Sequence, residues 1–156
     1  MSDFTNPELP SMGIIEPLGY EDRRLLSSYG EFLPVHPRQV LIHQGAAQDS
    51  LYFVISGVLH ATREDGGRQS LLGRIGAGET IGEINIFDPG EASATVTAME
   101  FSQIWRIDRT MLEDFMNESP LAASHLLIGI SVTLSRRMRG LNEKLARMQG
   151  MQLRSE

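Results

Sequence analysis

The chain has 156 residues, a formal net charge of −6 and 41% hydrophobic residues, which suits one compact domain with a substantial core. It contains no cysteine, which excludes disulfides, iron–sulfur clusters, thiolate zinc sites and cysteine nucleophiles together. No run of 18 apolar residues is present, so no membrane insertion is expected, and the polar opening with Pro7, Pro10 and Pro17 does not read as a signal peptide. A cytoplasmic protein is the expectation. The charge is uneven: from Leu121 onward there are six basic and two acidic residues, so the preceding 120 residues carry −10. An acidic body argues against DNA as a partner, because phosphate binding rests on clustered Lys and Arg.

Residues 1–17 are expected to form a flexible N-terminal arm. Gly19 to Tyr29 reads as a short helix with Leu25 and Leu26 on one face. A series of short apolar runs follows, separated by glycine. Strands are predicted near Phe32 to His36, at Val40 to Ile42, Leu51 to Ile55, Val58 to Thr62, Leu71 to Ile75, Thr80-Ile81, Ser93 to Ala98 and Ser102 to Ile107. Ser56-Gly57 fits a tight hairpin, and Asp65-Gly66-Gly67 a second one. About eight short strands with glycine turns suggest a β-sandwich or barrel.

Asp108 to Asn117 reads as another helix, with Met111, Leu112, Phe115 and Met116 at helical spacing. Ser119 then caps a long helix with Pro120 at its first position. Nothing interrupts it until about Gly150, giving a helix over 119–149 and a tail over 150–156. Leu127, Leu134, Leu141 and Met148 recur every seven residues, and Ile130, Met138 and Leu145 fill a second line. This approaches a coiled-coil seam. A helix of about 29 residues is about 43 Å long, more than a domain of this size needs, so the seam is expected to join a homodimer. Gly129 and Gly140 each weaken such a helix by about 1 kcal/mol relative to alanine, or permit a close contact. The arginines at 136, 137 and 139 read as its solvated face.

The most distinctive run is Gly78 to Val96. Gly82 would let the backbone approach a ligand closely. A turn of helix from Glu83 to Phe87 would present free N–H groups to an anion. Glu83 could accept hydrogen bonds from a sugar hydroxyl, and Ser93 could donate one to a phosphate oxygen.

Over about Leu18 to Met148, the chain resembles the cyclic-nucleotide-binding domain family. The residues carrying the resemblance are Gly45 to Gly57, Gly78 to Phe87 and the helix pair from Asp108 to Met148. The resemblance implies an eight-stranded β-roll with helices at both ends: a mainly β fold over 18–118, followed by a long C-terminal dimerisation helix. It implies that Glu83 is the ribose-binding glutamate, that Gly82 and Ile84 line a cyclic phosphate, and that Ser93, with Ala94 after it, sits beside that phosphate. Ala92 stands where the family places an arginine that pairs with the phosphate. Leu141 and Asn142 fall where bacterial activators present hydroxyl residues to the base, and Asn142 retains hydrogen-bonding capacity. Four acids, Glu79, Glu83, Asp88 and Glu91, share the stretch without a basic residue. A charge-assisted hydrogen bond contributes about 1.5–3 kcal/mol, so the missing arginine weighs heavily on cyclic AMP or cyclic GMP as ligand. Arg74 and Arg106 are the candidate replacements from neighbouring strands.

Two functions remain open on these residues. One is a non-catalytic sensory module that binds a cyclic nucleotide and signals through the helix to a protein partner. The other is a ligand-independent dimeric scaffold with a degenerate pocket. No certain cofactor is implied. Scattered His36, His43, His60 and His125 read as ordinary histidines rather than metal ligands. Neither G-x-S-x-G nor H-E-x-x-H occurs, and no catalytic constellation is expected. Too few residues follow Gln149 for a helix-turn-helix domain of the kind bacterial regulators carry.

Overall fold

The computed structural model describes residues 8–154, with side chains as far as residue 151. A single 3-10 turn, Gly13–Ile15, precedes helix α1, Tyr20–Tyr29. Ten strands follow: β1 Glu31–Val35, β2 Val40–Ile42, β3 Ala47–Gln48, β4 Ser50–Ser56, β5 Val58–Asp65, β6 Arg68–Gly76, β7 Thr80–Ile81, β8 Gly90–Glu91, β9 Thr95–Ala98 and β10 Ser102–Asp108. Helices α2, Arg109–Glu118, and α3, Pro120–Arg154, complete the chain. Eight of these strands coincide with the predicted runs. They form two four-stranded sheets, in the orders β1-β10-β4-β7 and β2-β9-β5-β6, and the additional pair β3-β8 makes a small third sheet. All pairings are antiparallel, so the fold is the expected β-roll with helices.

The alternation of side chains along a strand distributes β4 and β10 between two cores. Tyr52, Val54 and Ile104 turn inward, where they meet Leu59, Val96 and Ala98 of the opposite sheet. Leu51, Phe53, Trp105 and Ile107 turn outward, where they meet Leu26, Leu112, Phe115 and Leu126 of the helices. The first sheet is therefore covered on both faces, which is why its central strand reads as the unbroken apolar run Leu51 to Ile55. Each large side chain fully buried here contributes about 1.5–3 kcal/mol of transfer free energy. The Trp105 indole N–H also donates to the Ser27 carbonyl at 3.3 Å, fastening α1 to β10.

Local signals placed several elements correctly. At the β5–β6 hairpin, Asp65 pairs with Arg68, and Gly66 and Gly67 supply φ values of 58° and 81°. Asp108 caps α2, its side chain accepting from the Met111 N–H at 2.9 Å. At the start of α3, the Ala123 N–H donates to the Ser119 carbonyl at 2.9 Å.

Four expectations need correction. Ser56-Gly57 is not a hairpin: β4 and β5 lie in different sheets, and Gly57 turns the corner between them with φ 104°. A Cβ there would stand 2.6 Å from the Ser102 Cα, so the corner exists only because glycine lets the chain pass β10. The described part of the proposed N-terminal arm is packed rather than loose, with Leu9, Ile14 and Ile15 buried beside Leu18; residues 1–7 lie outside the described residues. Gly129 permits this packing, because a Cβ on it would meet the Ile14 Cα at 3.2 Å. The segment expected as a tail from 150 continues as helix to Arg154. Finally, Ile130 is buried in the chain's own core with Ala122, Ala123 and Leu126, and Leu134 packs against it, so these two are not exposed seam residues. Leu127 is half-buried. Beyond Arg137, α3 leaves the body: every described non-glycine residue from Met138 to Met151 is exposed.

Candidate functional site

A cavity of about 480 Å³ opens between the β-roll and α3. Its walls come from β2, β5, β6 and β9, from 79–85, from 92–94, and from Arg137 on α3. Gly82, Glu83, Ile84, Ala92, Ser93 and Ala94 all line it, so the structure brings together six of the seven expected ligand-site residues. Asn142 is not among them. It is exposed on the projecting part of α3, as is Leu141.

The residues that form the stretch also explain its shape. Gly82 has φ 87°, and a Cβ on it would collide with the Ser50 carbonyl oxygen, so only glycine lets this segment lie against β4. A helical turn follows, with the Ile86 N–H donating to the Gly82 carbonyl at 3.1 Å and the Asp88 N–H to the Ile84 carbonyl at 2.9 Å. Ile86 is fully buried and pins this turn to the helix-side core, while Ile84 stays 65% exposed beside the cavity. On the other wall, the Ala92 N–H donates to the Ala46 carbonyl and its carbonyl accepts from the Gly45 N–H, both at 2.8 Å. The Ala92 backbone is thereby held. Ser93 is exposed next to it.

Glu83 is the buried acid of the site, 4% exposed. A carboxylate removed from water is costly unless its oxygens find donors. One oxygen accepts from the Thr80 hydroxyl. The other stands 2.9 Å from Nη1 of Arg137, whose Nη2 also donates to the Thr80 carbonyl at 3.2 Å. Arg137 therefore joins α3 to both ends of the 80–83 segment. This overturns its reading as part of the solvated helix face. The sequence held a usable signal, because Arg137 follows Ile130 by two helical turns and so shares its inward face. Arg136 and Arg139 are exposed as expected.

Of the two candidate replacement cations, Arg74 lines the cavity and is exposed. Arg106 is engaged elsewhere, in an ion pair with Glu31 at 3.0 Å. Glu79 turns one carboxylate oxygen to the Gly76 N–H at 2.6 Å and closes the β6–β7 turn. The cavity is thus lined by two acids, Glu79 and Glu83, and two arginines, Arg74 and Arg137, so the acidity legible in the local sequence is balanced in space. Ile42, Leu72, Ile81 and Val96 make an apolar wall. Its size and mixture of apolar surface with a few convergent polar groups are those of a small-molecule site. Among the described residues, no group of three or more His, Asp or Glu side chains converges as a metal site.

The model of the cyclic nucleotide-binding domain matches residues 32–119, more than half of the chain. The N-terminal domain of a transcriptional regulator from Streptomyces coelicolor superposes with a TM-score of 0.71 at 28% identity, covering 85% of this chain and 90% of that one. The catabolite activator protein of Thermus thermophilus superposes with a TM-score of 0.75, also at 28% identity, covering 87% of this chain and 62% of the other. A lysophospholipase of Neosartorya fischeri is 28% identical over 123 residues, 78% of this chain but only 8% of that protein. The chain therefore spans less than a tenth of the length of that curated relative. A β-roll with a long C-terminal helix, enclosing a cavity around a buried glutamate, defines a ligand-binding regulatory class. This chain belongs to the cyclic nucleotide-binding domain family.

Proposed function

We propose that this chain is a non-catalytic regulatory module whose cavity takes a cyclic mononucleotide, cyclic AMP or cyclic GMP, and whose response leaves through α3. The observation that carries this reading is Glu83, a buried carboxylate on the wall of the cavity, paired at 2.9 Å with Arg137 of the helix. A carboxylate so placed accepts hydrogen bonds from the adjacent hydroxyls of a ribose. A ligand that draws on Glu83 changes the contact made by Arg137, and so alters how firmly α3 is held. It shifts the helix only as far as its contacts differ between the two arrangements.

In the same reading, α3 joins two copies. Met138, Leu141, Leu145 and Met148 are all more than half exposed and follow a 3-4-3 spacing. Such a stripe packs against a copy of itself as a short coiled coil. The homodimer signals to a protein partner rather than to DNA, and works in the cytoplasm. No helix among the described residues is long and apolar enough to cross a membrane.

A second reading, a ligand-independent dimeric scaffold, draws support from Glu83 already having partners in Thr80 and Arg137. Calorimetry separates the two. Cyclic AMP, cyclic GMP and a cyclic dinucleotide are titrated into the full chain and into Glu83→Ala. Heat from a mononucleotide that disappears in the variant supports the sensor. Silence with all three, while the chain remains dimeric in sedimentation, supports the scaffold.

A further inference from the structure

We propose that Arg63 of β5 supplies the cation that pairs with the anionic group of the ligand in this cavity, in the role left vacant by Ala92. The proposal rests on the cyclic-nucleotide reading above and identifies how that site meets the ligand's negative charge.

The stretch 78–94 contains no Lys, Arg or His, so a cation must come from another element. Three arginines stand near the cavity, and the structure distinguishes them. Arg137 is committed to Glu83 and the Thr80 carbonyl. Arg74 pairs with His60 across β5 and β6, one step from the pair Leu59–Ile75 that faces the core. Alternation starts the Arg74 side chain from the outer face of the sheet, and although the residue lines the cavity it does so from the edge strand β6, which β5 separates from β9 and the Ser93–Ala94 wall.

Arg63 has the opposite placement. It follows Leu59 and Ala61 at steps of two, and Leu59 is fully buried while Ala61 lines the cavity. Arg63 consequently shares the inner face. The pairing of β5 with β9 ends at Thr62–Thr95, so one further step brings Arg63 beside Ala94. The contact agrees: Nη1 of Arg63 donates to the Ser93 carbonyl at 3.2 Å. The guanidinium thus already touches Ser93, a lining residue next to Ala92, from just outside the residues that line the cavity.

Its other bond is exchangeable. Nε reaches Asp65 at 2.9 Å, but the two side chains are 44% and 71% exposed. Exposed pairs of this kind contribute little. A guanidinium has five N–H donors, so the fork can turn to two oxygens of a phosphodiester while remaining near Ser93.

The test is calorimetry of the full chain with cyclic AMP and cyclic GMP, using Arg63→Gln, Ala92→Arg, the double variant and Glu83→Ala. Arg63→Gln is expected to weaken the better nucleotide by about 10- to 100-fold, the loss of a charge-assisted pair. Its thermal midpoint should match the wild type, since the residue is half in solvent. Ala92→Arg is expected to raise affinity more in the Arg63→Gln background than in the wild type, a non-additivity that a merely structural role for Arg63 would not give. Equal affinity of wild type and Arg63→Gln, with binding lost in Glu83→Ala, overturns the role of Arg63 and leaves the cavity reading intact. Binding by Ala92→Arg alone, with a silent wild type, likewise shows that Arg63 does not replace the missing cation. Silence of both wild type and Ala92→Arg overturns this proposal together with the nucleotide reading.

Discussion

Nη1 of Arg137 lies 2.9 Å from Oε2 of Glu83, so one ion pair ties the long helix to the turn that walls the cavity. The Glu83 side chain is 5% exposed and that of Arg137 47%, an asymmetric pair with its acid inside and its base half in water. Removing the partner of a fully buried charge costs about 3–5 kcal/mol. Water reaches Arg137, so we expect Arg137→Ala to destabilise the chain by about 1–2 kcal/mol, less than the fully buried case. Glu83→Gln removes the buried charge and should cost less. Urea unfolding of both variants and their double variant measures the coupling; strictly additive effects would remove this pair from the account of how α3 is held.

Three glycines should respond differently to alanine. Gly82→Ala combines a positive φ with a collision at the Ser50 carbonyl, and is expected to cost at least about 2 kcal/mol. Gly129→Ala gains helix propensity but presses on the Ile14 backbone, for a net loss of about 1–2 kcal/mol. Gly140→Ala meets nothing within 4 Å and should stabilise α3 by up to about 1 kcal/mol. Thermal denaturation of the three variants checks the order, and a stabilised Gly129→Ala would contradict the close approach to Ile14.

The exposed stripe on α3 predicts self-association. Wild type should sediment as a dimer at micromolar concentration, with a thermal midpoint that rises with concentration. Leu141→Asp with Leu145→Asp places charges in the seam and should give a folded monomer, because both residues lie beyond the part of α3 that packs on the body. A monomeric wild type would refute the seam.

A ligand that binds only the folded chain raises its stability by about 2.7 kcal/mol at a hundredfold excess over Kd. Cyclic AMP or cyclic GMP is expected to raise the thermal midpoint accordingly, and Glu83→Ala should abolish the shift. An equal shift in Glu83→Ala would mean that the nucleotide binds elsewhere.

Much of the fold was legible because its signals are local. The Asp65-Gly66-Gly67 hairpin, the start of α2 near Asp108 and the eight predicted strand runs each depend on residues a few positions apart. Of the three two-residue strands only β7, with β-branched Thr80-Ile81, left a signal; β3 (Ala47–Gln48) and β8 (Gly90–Glu91) hold no β-branched or aromatic residue. Gly57 was misread because a glycine with positive φ serves a hairpin and a corner equally well; only its approach to Ser102 decides between them. Leu9 and Ile14 were assigned to a loose arm because isolated apolar residues among prolines carry no period, yet Gly129 opens a place for that segment on α3.

Period, glycine placement and spacing by themselves determined a body of short strands, the flanking helices, the overhang of α3 and the glycine-bounded stretch around Glu83, while the β-roll followed from the family resemblance those residues carry. The sequence also determined that Ala92 carries no charge. Tertiary structure alone decided how charge is balanced around the cavity. Arg137 reaches Glu83 from one element and Arg63 reaches Ser93 from another. Charges interact through space with a strength set by distance and burial, which sequence separation does not encode.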